Sequence, residues 1–230
     1  APNDPLFSAQ WALKNTGQNQ GTAGIDINYL PAREVTQGSS DIIVAVLDHG
    51  TQLDHPDLNV SSKSYDTETG RSPSQIWGNH GTACSGIISA KTNNNLGVAG
   101  IAPNCPVMSI SNQLMGTSDA PQKRADGFNW AWRNGASVIS NSWRSSTFSE
   151  LLEDAIQSAM TNGRNGLGCV VTFSAGNYDS NTVGYPARSL PDIIVVGALS
   201  LSGKRKSSTT IDNEGWWGSD YGTQLDIMAP

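Results

Sequence analysis

This 230-residue chain predicts an α/β fold: a doubly wound, mostly parallel sheet with helices on both faces. Three observations predict it. Short apolar runs rich in β-branched residues recur without the alternation of half-exposed strands, as in strands buried on both sides. Stretches with helical spacing separate them, and such connections join parallel strands. The length suits one large core, so residues 1–230 read as a single domain.

Residues 1–40 supply an N-terminal arm and a first helix. Ile42–Leu47 is the first strand and runs into Asp48-His49-Gly50. A helix starts near His80 and carries Gly81, Ala83, Ser85 and Gly86. Glycine is a poor helix former, so these small residues imply a close approach of helix to sheet. Val107–Ile110 is the next strand, followed by a helix from Arg124 to Arg133 that stops at Asn134-Gly135. Ser137–Ser140 is a strand. Phe148, Leu151, Leu152, Ala155, Ile156, Ala159 and Met160 then recur at helical spacing. Thr147 with Glu150 forms a capping box before that helix, and Asn162-Gly163 stops it. Cys169–Phe173 and Ile193–Val196 are further strands.

The composition narrows the function classes. A net charge of -6 and a pI near 4.9 argue against a nucleic-acid groove. No apolar run is long enough to span a membrane. The start, Ala1-Pro2-Asn3-Asp4-Pro5, is not a signal peptide, so a leader is expected to have been removed. Cys84 and Cys169 sit in apolar stretches and read as small core residues; with Cys105 they make an odd number and no disulfide framework.

In doubly wound sheets, reactive groups gather beyond the carboxyl ends of the strands. Asp48, Ser142 with Trp143, and Asn177 each follow a strand, and His80 opens a helix. All four can face one crevice. Their motifs resemble those of the subtilisin–kexin family of serine proteases. Val44-Ala45-Val46-Leu47-Asp48 with Gly50 is similar to that family's aspartate motif, and His55-Pro56-Asp57-Leu58 follows it. His80-Gly81-Thr82 with Cys84 and Gly86 is similar to its histidine motif. Gly97–Pro103, Ser174-Ala175-Gly176-Asn177, Val183–Ala187 and Val195–Ala198 complete the series, in family order. Asp4–Phe7 with Gln10-Trp11 resembles the N-terminal arm of the kexin-type branch.

The resemblance implies a subtilisin-like fold and an Asp-His-Ser triad for peptide-bond hydrolysis. His80 would be the general base, Asp48 its orienting carboxylate, and Asn177 the side-chain donor to the oxyanion. The order Asp then His places serine last. In the family, Leu225–Pro230 precedes a glycine and a later Gly-Thr-Ser helix start, so the chain reads as lacking its C-terminal part and as inactive alone. That truncation predicts self-association, or docking of the missing segment, through uncovered apolar surface.

Ser142-Trp143-Arg144 resembles the edge on which the family lays a peptide or protein substrate. Arg144 stands where glycine is usual and implies an altered or partly blocked pocket. The resemblance also implies a structural Ca2+ held by Asp4, Asp57, Asn94, Thr92, Leu96 and Val98, an oxygen set suited to that ion. Secretion or placement at the cell envelope is a further family expectation. His49 reads as a rim residue, His55 as structural, and Trp77, Trp130, Trp132, Trp216 and Trp217 as packing. Two alternatives stand: a non-catalytic, protease-like domain that binds peptides or partners, and a metallohydrolase using His49, His55 and His80, for which no ligand spacing is recognisable.

Overall fold

The computed structural model describes residues 1–212 and 214–230. In chain order its elements are α1 Tyr29–Val35, β1 Ile43–Asp48, β2 Tyr65–Asp66, α2 His80–Ser89, β3 Val107–Ser111, α3 Ala120–Arg133, β4 Ala136–Asn141, α4 Glu150–Gly166, β5 Val170–Ser174, β6 Ile194–Ala198 and β7 Ile227–Ala229. The strands form one seven-stranded sheet in the order β2-β3-β1-β4-β5-β6-β7. Every neighbouring pair is parallel. The winding reverses between β1 and β4, and the crevice beyond their carboxyl ends is where α/β sheets place ligands.

The two faces of the sheet are covered unequally. α3 and α4 pack together over the face that carries Ala45, Leu47, Ile110, Ile139, Val171 and Phe173, and this is the main core. α2 lies on the opposite face, over β1 and β3. Along that same face the register lines up Val170, Ile194 and Ile227 of β5 to β7, and all three are exposed. Half of the sheet's second face is therefore open, next to α2.

The predicted elements are present, with two local differences at helix starts. α3 begins at Ala120, four residues before Arg124, because Pro121 fits the first turn, where a missing N–H costs nothing. The α4 cap is Ser149 and not Thr147: the Ser149 hydroxyl accepts the N–H of Leu152. Thr147 is held away in a turn, where its N–H donates to Ser145 Oγ, and the Tyr185 hydroxyl accepts the Ser149 N–H and donates to the Ser149 carbonyl. The regular turns of α4 do stop at Gly163, where helical dihedrals end.

The small residues of α2 have different reasons. A Cβ on Gly81 would come within 2.5 Å of the Gly50 carbonyl oxygen, so glycine is required there. Gly86 faces open space, and close approach does not explain it. Ser85 is buried and bonds both Thr51 Oγ1 and the Gly81 carbonyl, each at 2.7 Å.

Candidate active site

Asp48 ends β1 and is fully buried, while the His80 side chain at the start of α2 is half exposed. A tight turn joins strand to loop here. Gly50 has φ +92°, and a Cβ on it would lie 2.0 Å from the Gln75 carbonyl oxygen. The turn lets one Asp48 oxygen accept the N–H of His49 at 2.7 Å. His80 Nδ1 lies 2.9 Å from both Asp48 oxygens. A carboxylate can only accept, so Nδ1 carries the proton and Nε2 is left with a free lone pair. A base oriented by a buried carboxylate is the activating half of a nucleophilic catalyst.

The other predicted residues follow β4 and β5, at the same end of the parallel sheet as Asp48. Asn177 follows β5 and is exposed, which leaves its amide free to meet a ligand. Ser142 and Arg144 are exposed just beyond β4, whereas the Trp143 side chain is buried. Trp143 packs edge-on against Phe173, with ring centroids 5.0 Å apart. Any part it plays toward a substrate must come from its backbone. Outside the strand ladder, the backbone groups of Ser142, Trp143 and Arg144 bond to no other backbone group among the described residues. They form a free edge of the kind an extended peptide can extend.

Cys84 departs from its expected place in the core. One helical turn after His80, it is partly exposed, with Sγ 3.7 Å from His80 Nδ1 and 3.8 Å from Ser142 Oγ. Burial, aided by the Asp48 charge, pushes its thiol pKa up. Asp48, His80 and Cys84 bring three ligand-type atoms within 4.8 Å of one another. The i, i+4 spacing of His80 and Cys84 was the available signal, and the apolar neighbours obscured it. His49 sits at the rim, edge-on to His80 with centroids 6.3 Å apart. His55 accepts the N–H of Asp57 through Nδ1, a loop-shaping contact.

A second cluster joins the N-terminal arm to the loop 92–98. Asp4 and Asp57 are buried, and neither forms an ion pair among the described residues. Asp4 accepts the N–H groups of Asn93 and Asn94; Asp57 accepts the Asn94 amide at 2.7 Å and the Val98 N–H. Thr92 Oγ1 is buried with no hydrogen-bond partner among the described residues. A Cβ on Gly97 would lie 2.3 Å from Asp57 Oδ2, so the loop wraps closely round the carboxylate. The Leu96 N–H donates to Asn94 Oδ1 and draws the loop tighter. Two buried carboxylates without an ion-pair partner among the described residues, an orphaned hydroxyl and a curled loop suit a hard cation.

Comparison with known proteins now bears on the site. Residues 39–230 match the pattern of the subtilase family. The chain belongs to the subtilase family. It is 34% identical over 229 residues to the "Thermophilic serine proteinase" of a Bacillus species, covering 98% of this chain and 53% of that protein. With "Subtilisin NAT" of Bacillus subtilis subsp. natto it shares 34% identity over 197 residues, covering 83% of this chain and 47% of the relative. A "Calcium-dependent protease" of Nostoc is 31% identical over 238 residues, covering 91% and 34%. Among solved structures, a protease from Pseudoalteromonas arctica superposes with a TM-score of 0.78 at 28% identity, covering all of this chain and 72% of that one. This subtilase chain spans about half the length of the first two relatives.

Asp220, Tyr178 and Arg124 of this subtilase's cleft carried no sequence signal as site residues. Asp220 is fully buried; its Oδ1 accepts the N–H groups of Tyr178 and Ser180, and its Oδ2 lies 3.8 Å from Arg144. The Arg144 guanidinium lies over the Tyr178 ring, 4.2 Å from its centroid. Arg124 is buried beneath Trp143, its guanidinium 4.8 Å from that ring's centroid. These contacts join segments far apart in the chain, which no local pattern reveals.

Proposed function

We propose that this chain is the Asp- and His-bearing part of a serine endopeptidase, with the nucleophilic serine supplied from outside residues 1–230. The observation that carries the reading is the bond of His80 Nδ1 to the buried carboxylate of Asp48. In the proposed reaction, His80 Nε2 takes the proton of a serine hydroxyl as that oxygen attacks the scissile carbonyl, then returns it to the leaving amine. Asp48 holds the tautomer and stabilises the imidazolium. The Asn177 amide donates to the oxygen on which charge develops. The substrate peptide lies along Ser142–Arg144, bonded to the free backbone edge.

Two features support an external serine. Among the described residues, no hydroxyl hydrogen-bonds to His80. The open face over β5 to β7 adjoins α2 and offers an apolar seat for a helix carrying the serine. Without that cover, residues 1–230 are inactive and associate through the same face, since apolar patches of several hundred Å² rarely stay bare.

The loop cluster would hold a structural Ca2+ through Asp4, Asp57, Asn94, Thr92 and the Leu96 and Val98 carbonyls. Its role is to tie the N-terminal arm to the loop after α2. Calcium is abundant outside cells, and this site therefore favours a secreted or envelope-facing protein.

Treating the intact protein with a fluorophosphonate probe tests the reading. A serine C-terminal to Pro230 labels, and Asp48→Asn or His80→Ala abolishes labelling. An intact protein that carries such a serine and never labels overturns the endopeptidase assignment. A second reading, a peptide-binding module without catalysis, draws on Arg144, which stands over the cleft pinned by Tyr178 and Asp220. Peptide binding with neither labelling nor cleavage selects it.

A further inference from the structure

A cavity of about 240 Å³ lies between α3 and the edge segment beyond β4. Arg124 and Arg144 both line it, together with Thr117, Ser145 and Tyr178. We propose that this cavity is a carboxylate-recognition pocket, which selects an Asp or Glu side chain of the peptide laid along Ser142–Arg144. The proposal rests on the peptide-edge reading above and adds which side chain that edge admits.

Arg124 is the central observation. A guanidinium is never neutral in a protein, and burying one without a counter-charge is costly. Arg124 is 2% exposed. One of its terminal nitrogens donates to the Met115 carbonyl at 3.1 Å, and its Nε has no partner among the described residues. No carboxylate among the described residues forms an ion pair with it. Glu68, the acidic group it senses, is held by Lys123 at 2.7 Å. The stack on Trp143 orients the guanidinium without neutralising it. This is a buried positive charge whose hydrogen-bonding capacity is not filled from within.

The rest of the wall has the same sign. Ala120 and Pro121, from the first turn of the fourteen-residue helix α3, border the cavity, so the positive end of that helix faces it. Arg144 adds a second guanidinium at the mouth. Asp220 offsets part of its charge from 3.8 Å, and Asp119 at the helix start is exposed and paired with Lys123. Neither acidic group lines the cavity. Two arginines, hydroxyls and a helix N-terminus enclose a volume that suits a carboxylate-bearing side chain.

Position makes the ligand a peptide side chain. Arg144 belongs both to the free backbone edge and to the cavity wall, and Tyr178, which lies under its guanidinium and also lines the cavity, adjoins Asn177. A strand laid on that edge turns alternate side chains to one face, so one of them enters the cavity.

Matched peptides with Glu or Gln at each of four positions before the scissile bond test this, assayed for cleavage and for binding by the intact protein. At one position, kcat/KM for Glu exceeds that for Gln by roughly tenfold or more, and the ratio falls with added salt. Arg124→Met brings that ratio to about one, and Arg124→Lys retains part of it; a thermal melt of each variant verifies folding. Equal handling of Glu and Gln at all four positions, or a preference that survives in folded Arg124→Met, overturns the pocket and leaves the endopeptidase reading intact. Peptides that are neither bound nor cleaved remove the edge reading and this pocket with it.

Discussion

At the residue scale, the cleft depends on single atoms held by burial. In the proposed reaction His80 serves as a base because Asp48, at the end of a buried strand, holds its carboxylate against His49 N–H and His80 Nδ1. Asn177 is the opposite case: it is exposed, and in the proposed reaction its amide bonds a charge that exists only during turnover. Asn177→Leu in the intact protein is expected to lower kcat by roughly 10²–10³ with little change in KM, the magnitude known for the same donor in subtilisin itself. Steady-state kinetics on a neutral peptide checks it, and an unchanged kcat removes Asn177 from the oxyanion site. Asp48, His80 and Asn177 could be named from the sequence because each sits in a short motif at a strand or helix end. The contact of Cys84 with His80 was less evident, because its apolar neighbours resemble a core stretch.

At the scale of elements, helix starts show where local reading succeeds and where it fails. Helical periodicity placed α4, but the cap expected at Thr147 falls at Ser149. The choice is made by Ser145 and Tyr185, which fix the backbone ahead of the helix so that only Ser149 meets the Leu152 N–H. Ser149→Ala should therefore cost about 1 kcal/mol. In a domain of this size that lowers Tm by roughly 2–4 °C. Thr147→Ala, which removes no cap, should lower it less. Thermal melts of the two variants side by side check the assignment; the reverse order would restore the capping box at Thr147. The glycines of α2 teach the same point. Both lie within one helix, yet only Gly81 stands against a backbone carbonyl.

At the scale of the whole molecule, the sheet is a platform finished on one face and half open on the other. The loop cluster of Asp4 and Asp57 links the arm to the region behind α2 and would be a tether once calcium binds. Adding Ca2+ at about 100 times its dissociation constant should stabilise the fold by about 2.7 kcal/mol. A chelator should reverse this, and Asp57→Asn should abolish it. Differential scanning calorimetry with and without Ca2+ measures the effect, and an identical Tm in the two conditions removes the metal site.

The sequence by itself determined the fold class, the family and the Asp48–His80 pair. Those features are written in short-range terms: buried β-branched runs, helical spacing, and motifs that span a few residues. Only the tertiary structure decided that Cys84 faces the His80 imidazole, that Ser149 caps α4, and that Arg124 and Arg144 share one cavity. Such contacts arise when segments distant in the chain are packed together, and no local periodicity encodes which side chains then meet. The same packing leaves Arg124 charged, buried and without a counter-ion among the described residues.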